Sequence, residues 1–163
     1  MLAGTWGVAG PDGGAAGGRE GAMTEVRREL GAISMFQEYL EAWNARRKDR
    51  VLAFFADDCV YENHARGAVY RGKAELGAWV AATFAAIPDT AFELSSLFSS
   101  GRWVGCEWVM SGTHTGDLPD LPATRRRFSI NGASIAEVVG GKIVRNADYW
   151  DLCDFLRQVG VTP

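Results

Sequence analysis

The sequence predicts an α+β fold, with helices packed on one face of a curved antiparallel sheet. Helical periodicity is confined to residues 28–86 and the C-terminus, strand-like runs fill residues 90–149, and glycines mark the reversals between those runs. At 163 residues the chain suffices for one domain with a real core.

Over residues 28–44, Ile33, Phe36, Leu40 and Trp43 recur three and four apart as one helical stripe, with Tyr39 on its margin. Asp49 is expected to cap a short second helix carrying Val51, Leu52, Phe54 and Phe55, and Asp57-Asp58 to turn the chain. "CVYENH" then reads as a short strand with Tyr61 and Asn63 on one face, because strand side chains alternate. Alanine-rich residues 73–86 carry Leu76, Trp79, Val80 and Phe84 at helical spacing, and Pro88 closes this third helix. Four strands follow, "TAFELSSLF", "RWVGCEWVMSGTH", "RRRFSINGASIAEVV" and "KIVRNADYW", reversed at Gly101 and Gly140-Gly141. Asp151, with Asp154 three residues on, suits the N-cap of a last helix over "LCDFLRQVG".

Residues 1–27 are glycine-rich and are expected to be a disordered tail, with Met23 a second plausible start and residues 28–163 the single domain. The first 22 residues lack the basic start and sustained apolar centre of a secretory signal. The longest mostly apolar run, 76–87, falls short of the ~20 residues that span a bilayer, so no membrane partner is expected.

Seventeen basic and 20 acidic side chains leave a net charge of −3. Beyond Arg125, Arg126 and Arg127, which suit a solvated strand edge, there is no basic footprint for nucleic acid. Cys59, Cys106 and Cys153 are far apart, without CxxC spacing, and read as thiols in the reducing cytoplasm. His64 and His114 have no second histidine at ligand spacing, so no metal is expected.

Alternation puts Val104, Cys106, Trp108, Met110 and His114 on one side of their strand, with Trp103, Glu107, Val109 and Thr113 on the other. In the last strand Val144, Asn146, Asp148 and Trp150 share a side, and in the strand before it Asn131, Ala133 and Ile135 do so. If those sides are concave, an apolar cavity would hold Tyr61, Asn63, His114, Asn131 and Asp148, which is the usual make-up of a small-molecule site. Tyr61 and Asn63 equally suit mutual hydrogen bonding at a strand end, His114 an ordinary loop position, and Asn131 a bulge before Gly132. Asp148 is hardest to explain structurally, since carboxylates are seldom buried in apolar surroundings without cause. Trp103 and Val109 on the outer side suggest a dimer surface.

The stretches "FQEYLEAWNARRKDRVLAFFADDCVYEN", "YRGKAELGAWV", "MSGTHTGDLPDLPAT" and "GGKIVRNADYWDLCDFLRQVG" resemble the nuclear transport factor 2-like superfamily, which includes SnoaL-like polyketide cyclases, limonene-epoxide hydrolases and ketosteroid isomerases. The resemblance implies a cone of strands closed on one side by helices, often as a homodimer. "GTHTGDL", "LPAT" and "GKI" look most like the SnoaL-like cyclases, which close a ring by intramolecular aldol chemistry without metal or organic cofactor. That likeness implies an active-site role for His114. The cyclases' acid–base aspartate lies on the strand that here reads "RRRFSING", which has no carboxylate before Glu137.

"YEN" and "ADYWDLCDF" look like the epoxide hydrolases, in which residues matching Tyr61, Asn63 and Asp148 hold the attacking water. Trp108 and Met110 stand where those enzymes keep an Arg-x-Asp. Against the isomerases, Tyr39 matches the oxyanion tyrosine and Asn63 the catalytic aspartate. The resemblances together imply cofactor-independent acid–base chemistry on a small apolar oxygenated compound of polyketide, terpenoid or steroid type; the missing acid on each family's key strand leaves open a non-catalytic member of the fold that holds a hydrophobic ligand or a protein partner. Asp148, His114, Tyr61 and Asn63 would be catalytic, and Tyr39, Trp108, Met110, Asn131 and Trp150 would bind substrate.

Overall fold

A computed structural model describes residues 15–161. Helix α1 (Ala15–Asn44) and the short α2 (Lys48–Ala53) lead into strand β1 (Phe55–Asn63), a single 3-10 turn (His64–Arg66) and β2 (Ala68–Arg71). Helix α3 (Gly72–Ala86) precedes β3 (Ala91–Ser100), β4 (Trp103–Thr113), β5 (Arg127–Val139) and β6 (Lys142–Trp150), and α4 (Leu152–Val159) ends the described chain.

The six strands form one curved, unclosed sheet in the order β2-β1-β6-β5-β4-β3. Every neighbouring pair is antiparallel except β1 and β6, which run parallel. That pair departs from the expected all-antiparallel sheet. The chain leaves β1 for β2, α3 and three further strands before β6 returns beside it, a connection long enough for a parallel partner.

The helices lie against one face and bury Phe36, Tyr39, Leu40 and Trp43 of α1 and Leu76 and Val80 of α3 against Phe55, Val104, Cys106 and Trp108. A second apolar cluster, around Phe128, Ile130, Leu121, Phe155 and Val159, fixes α4 on β5. Asp151 caps α4 as expected, its side chain accepting from the Asp154 amide at 2.9 Å.

Three local expectations change. Helix α1 starts at Ala15, well before residue 28, because good helix formers such as Glu20, Ala22, Met23, Glu25 and Arg28 carry it past the packed stripe into solvent. Residues 1–14 of the tail expected over residues 1–27 lie outside the described residues. Asp49 does not cap α2: Arg47 occupies that position without a side-chain bond, and Asp49 stands in the first turn, where the helix dipole favours an acid. Asp57 and Asp58 belong to β1, whose irregular pairing with β6 between Phe55 and Val60 absorbs them.

Among the described residues no helix is long and apolar enough to cross a membrane. Cys59 and Cys106 are buried free thiols, and Cys153 is an exposed one.

Candidate active site

A cavity of about 410 Å³ opens between the helices and the concave face of the sheet. Tyr39, Tyr61, Asn63, Trp108, Met110, Asp148 and Trp150 all lie on its wall, so seven of the nine site residues expected from the sequence converge. Most of the wall is aromatic or aliphatic, which makes each polar group on it conspicuous.

The parallel pairing of β1 with β6 sets Tyr61 beside Asn146 and Asn63 beside Asp148. Asp148 is 9% exposed and receives three side-chain hydrogen bonds. Ser134 Oγ donates to Oδ1 at 2.6 Å, Asn146 Nδ2 donates to the same oxygen at 2.7 Å, and the Tyr61 hydroxyl donates to Oδ2. Oδ1 is thereby filled. Oδ2 keeps a lone pair for something in the cavity.

Burial holds the Asp148 carboxyl above the usual carboxylate range, opposed by the donors Ser134, Tyr61 and Asn146. The same burial, joined by the nearby Asp148 charge, raises the phenols of Tyr39 and Tyr61 well above their ordinary value. Both therefore stay protonated as donors. The Cys106 thiol is pushed up to about 12 by burial and then by Asp148, so it is inert at neutral pH.

Ser134 was not expected from the sequence. An indole N–H can only donate, and Trp108 Nε1 donates to Ser134 Oγ at 2.9 Å. The serine hydroxyl must then turn its one proton toward Asp148. The signal that would have found it is the alternation of Phe128 and Ile130, both buried, which continues through Gly132 to Ser134.

The same parity removes Asn131 from the site. Continuous pairing of β5 with β4 puts Gly132 opposite Trp108 and Ser134 opposite Cys106, and Asn131 points to the other face, where it is exposed. No bulge interrupts the pairing there. Gly132 is needed for a different reason: a Cβ at that position would collide with the Trp108 ring.

His114 is likewise not on the cavity wall. It is wholly buried one layer behind, its ring edge-on to Phe155 with centroids 6.1 Å apart, while Phe155 itself faces the cavity. Its Nδ1 lies 3.1 Å from Thr124 Oγ1 and accepts from the Thr124 amide at 3.4 Å, and its backbone pairs with Arg125 and Arg126. Burial lowers its pKa, so the imidazole is neutral. Its Nε2 has no partner among the described residues. The loop after β4 was legible as a loop; that its first residue would point beneath Phe155 depends on where α4 docks.

Asn63 is oriented without ambiguity. Its Oδ1 accepts from the Arg66 amide at 3.2 Å and from Trp150 Nε1 at 3.1 Å, both groups that can only donate. Its carbonyl is thus spoken for. The Nδ2 protons remain for a ligand oxygen beside Asp148.

No group of three His, Cys, Asp or Glu side chains is placed to hold a metal ion among the described residues.

The SnoaL-like polyketide cyclase family model matches residues 33–159. A nogalonic acid methyl ester cyclase from Streptomyces nogalater is 32% identical over 124 residues, covering 74% of this chain and 91% of that protein. The aklanonic acid methyl ester cyclase DauD from Streptomyces sp. (strain C5) is 29% identical over 136 residues, covering 78% and 81%. Among solved structures, TsrD from Streptomyces laurentii superposes with a TM-score of 0.72 at 23% identity, covering 80% of this chain and 96% of that one. A Catenulispora acidiphila protein with a ketosteroid isomerase-like fold, solved with trimethylamine, gives 0.69 at 25% identity, covering 78% and 92%. With a cavity on the concave face of the curved sheet and a family match that spans most of the sequence, the chain belongs to the SnoaL-like polyketide cyclases, a family of enzymes.

Proposed function

We propose that this enzyme closes a ring in a planar, largely apolar polyketide by an intramolecular aldol reaction, with Asp148 as the base. The observation that carries the reading is the Asp148 carboxylate, filled at Oδ1 and open at Oδ2, next to an Asn63 amide whose free end can only donate.

Asp148 Oδ2 takes a proton from the carbon next to a substrate carbonyl. As that C–H bond breaks, negative charge moves to the carbonyl oxygen, where Asn63 Nδ2 meets it. The enolate carbon then attacks a second carbonyl of the same molecule, and the new alkoxide takes back the proton held by Asp148. Protons and electrons balance within one substrate, so the step requires no redox partner. The raised Asp148 value brings the base nearer neutral pH and improves the driving force for abstraction. Tyr61 holds Oδ2 in place, and Tyr39 and Trp108 shape the pocket.

Epoxide hydrolysis fits less well. It calls for a second acid to protonate the ring oxygen, and Glu75, the other carboxylate on the cavity wall among the described residues, accepts from the Arg71 amide at 2.8 Å. The relatives' names, methyl ester cyclases of nogalonic and aklanonic acids, support a polycyclic carbonyl substrate. The deciding experiment is ring closure of such a polyketide followed by chromatography, with wild type active and Asp148→Asn inactive. Equal turnover by both would remove the assignment.

The outer sheet face exposes Phe98, Trp103, Ile135 and Tyr149, which supports a homodimer formed through that face. Light scattering should give twice the chain mass, and a monomer at high concentration would count against it. The free thiols support a reducing, cytoplasmic setting.

A further inference from the structure

Arg66 is a half-buried cation on the cavity wall, close to where exposed Pro119 marks the opening. Its Nη2 donates to the Pro119 carbonyl at 3.0 Å, and no carboxylate pairs with it among the described residues. A guanidinium carries five N–H donors, so most of its capacity is unused. Glu75 shares this cavity but is committed to the Arg71 amide and lies outside ion-pair distance.

Tyr70 stands beside Arg66. Burial raises its phenol pKa, and the Arg66 charge opposes that rise, so cation and hydroxyl act on the same space. The Tyr70 ring stacks on Trp79 with centroids 5.2 Å apart and 24° between planes, and Trp79 lies 4.7 Å from Tyr61. An aromatic shelf thus runs from the cation to the tyrosine that touches Asp148. Arg66 is placed by the same residue that would hold the enolate, since its amide caps Asn63 Oδ1.

Building on the cyclase reading, we propose that Arg66 and Tyr70 receive an anionic oxygen, a carboxylate or an ionised phenol, on the edge of a planar ligand whose reacting carbon lies at Asp148. A guanidinium in a partly dry site discriminates strongly between an ionised oxygen and its neutral ester, because charge-assisted bonds are the stronger ones.

The test is binding, by intrinsic fluorescence quenching, of anthraquinone-2-carboxylate against its methyl ester, and of 2-hydroxyanthraquinone above and below its phenol ionisation. The wild type should prefer at least one anion over its neutral form by about ten-fold or more, and whichever anion shows the preference identifies the source. In Arg66→Gln the ratio should fall to about one with affinity for the neutral form kept within a few-fold; Arg66→Lys should retain part of it. If Arg66 served only to strap Pro119, anion and ester would weaken together, and that result would overturn the inference. Equal affinity for both forms in the wild type would overturn it too, leaving the Asp148 assignment standing on its turnover test. Failure of every probe to bind would likewise overturn it, with the Asp148 assignment still decided by turnover.

Discussion

Asn63 and Asp148 are direct partners across β1 and β6, the one parallel pair in the described sheet, so an amide donor and a carboxylate emerge side by side from adjacent strands into the same cavity. Side chains at matched positions of paired strands share a face. The arrangement is therefore a property of the sheet, independent of any flexible loop. Its consequences are specific.

Asp148→Asn should leave the fold intact and lower kcat by about 10²- to 10⁴-fold, the usual contribution of a positioned base. Stability supplies an independent check. The Asp148 value is raised, so the stability associated with its neutral form is complete below the ordinary 3.8 and is lost as pH rises through the higher folded value. Asparagine does not ionise. The unfolding free energy of the variant relative to wild type should thus increase across that window and become constant above it. A difference independent of pH would show that Asp148 is not held above its ordinary range.

Ser134→Ala removes one of the donors that favour the charged carboxylate. The acid limb of the pH–rate profile should move further toward neutral pH, with a smaller change in KM than in kcat. Trp108→Phe leaves the serine proton on Asp148 and should shift the limb less, although it empties indole volume from the pocket. If neither variant moves the limb, Ser134 is a packing residue and the relay from Trp108 has no part in tuning the base.

How far the sequence could be read follows from which forces act locally. Helical stripes, strand alternation and the α4 cap are set by neighbours in sequence, and all of these were legible. Asn131 was misplaced because Ile135 looked like an inward residue and Ser134 an outward one. Their true parity comes from pairing with β4, where Trp108 occupies the room that a larger inward residue at Gly132 would need. His114 was misplaced because it packs against Phe155, a contact made by a helix far along the chain that no local pattern reveals. The parallel β1–β6 pair joins the two ends of the fold, and no local pattern announces it.

His114 should affect stability more than chemistry. His114→Ala is expected to cost about 1–3 kcal/mol, the range for losing a buried, hydrogen-bonded side chain, with kcat of the folded fraction changed only a few-fold. Its pKa is lowered by burial, so the stability it contributes is present above the ordinary 6.5 and is lost as pH falls through the lower folded value. Hydrogen-exchange protection of residues 114–126, taken relative to the intrinsic rate at each pH, should fall over that same window. A loss of turnover as deep as that of Asp148→Asn, in a protein that still melts normally, would return His114 to the reacting centre.

Gly132→Ala tests whether the Trp108 ring sets the pocket. The new methyl group would meet that ring directly, so either the indole or the strand must move. Overpacking of this kind costs about 1–3 kcal/mol, and the displaced indole would weaken the bond from Nε1 to Ser134. The variant should therefore lose stability and show the same direction of acid-limb shift as Ser134→Ala. Loss of stability with an unmoved limb would separate packing from tuning.

Asn63 offers the sharpest contrast between a donor and a charge. In Asn63→Asp both oxygens are acceptors, so the bonds from Arg66 and Trp150 can persist while the free donor disappears and a second carboxylate appears beside Asp148. Two neighbouring carboxylates resist simultaneous ionisation, which raises the value of at least one of them. The acid limb should shift upward and kcat should fall by about 10²-fold, the scale seen when one oxyanion donor is removed. Asn63→Ala should show a comparable loss of kcat without that shift, since it adds no charge. If Asn63→Asp retained full turnover, the amide would not be the group that meets the enolate oxygen, and the donor would have to be sought at Tyr39, because the one proton of Tyr61 is held by Asp148.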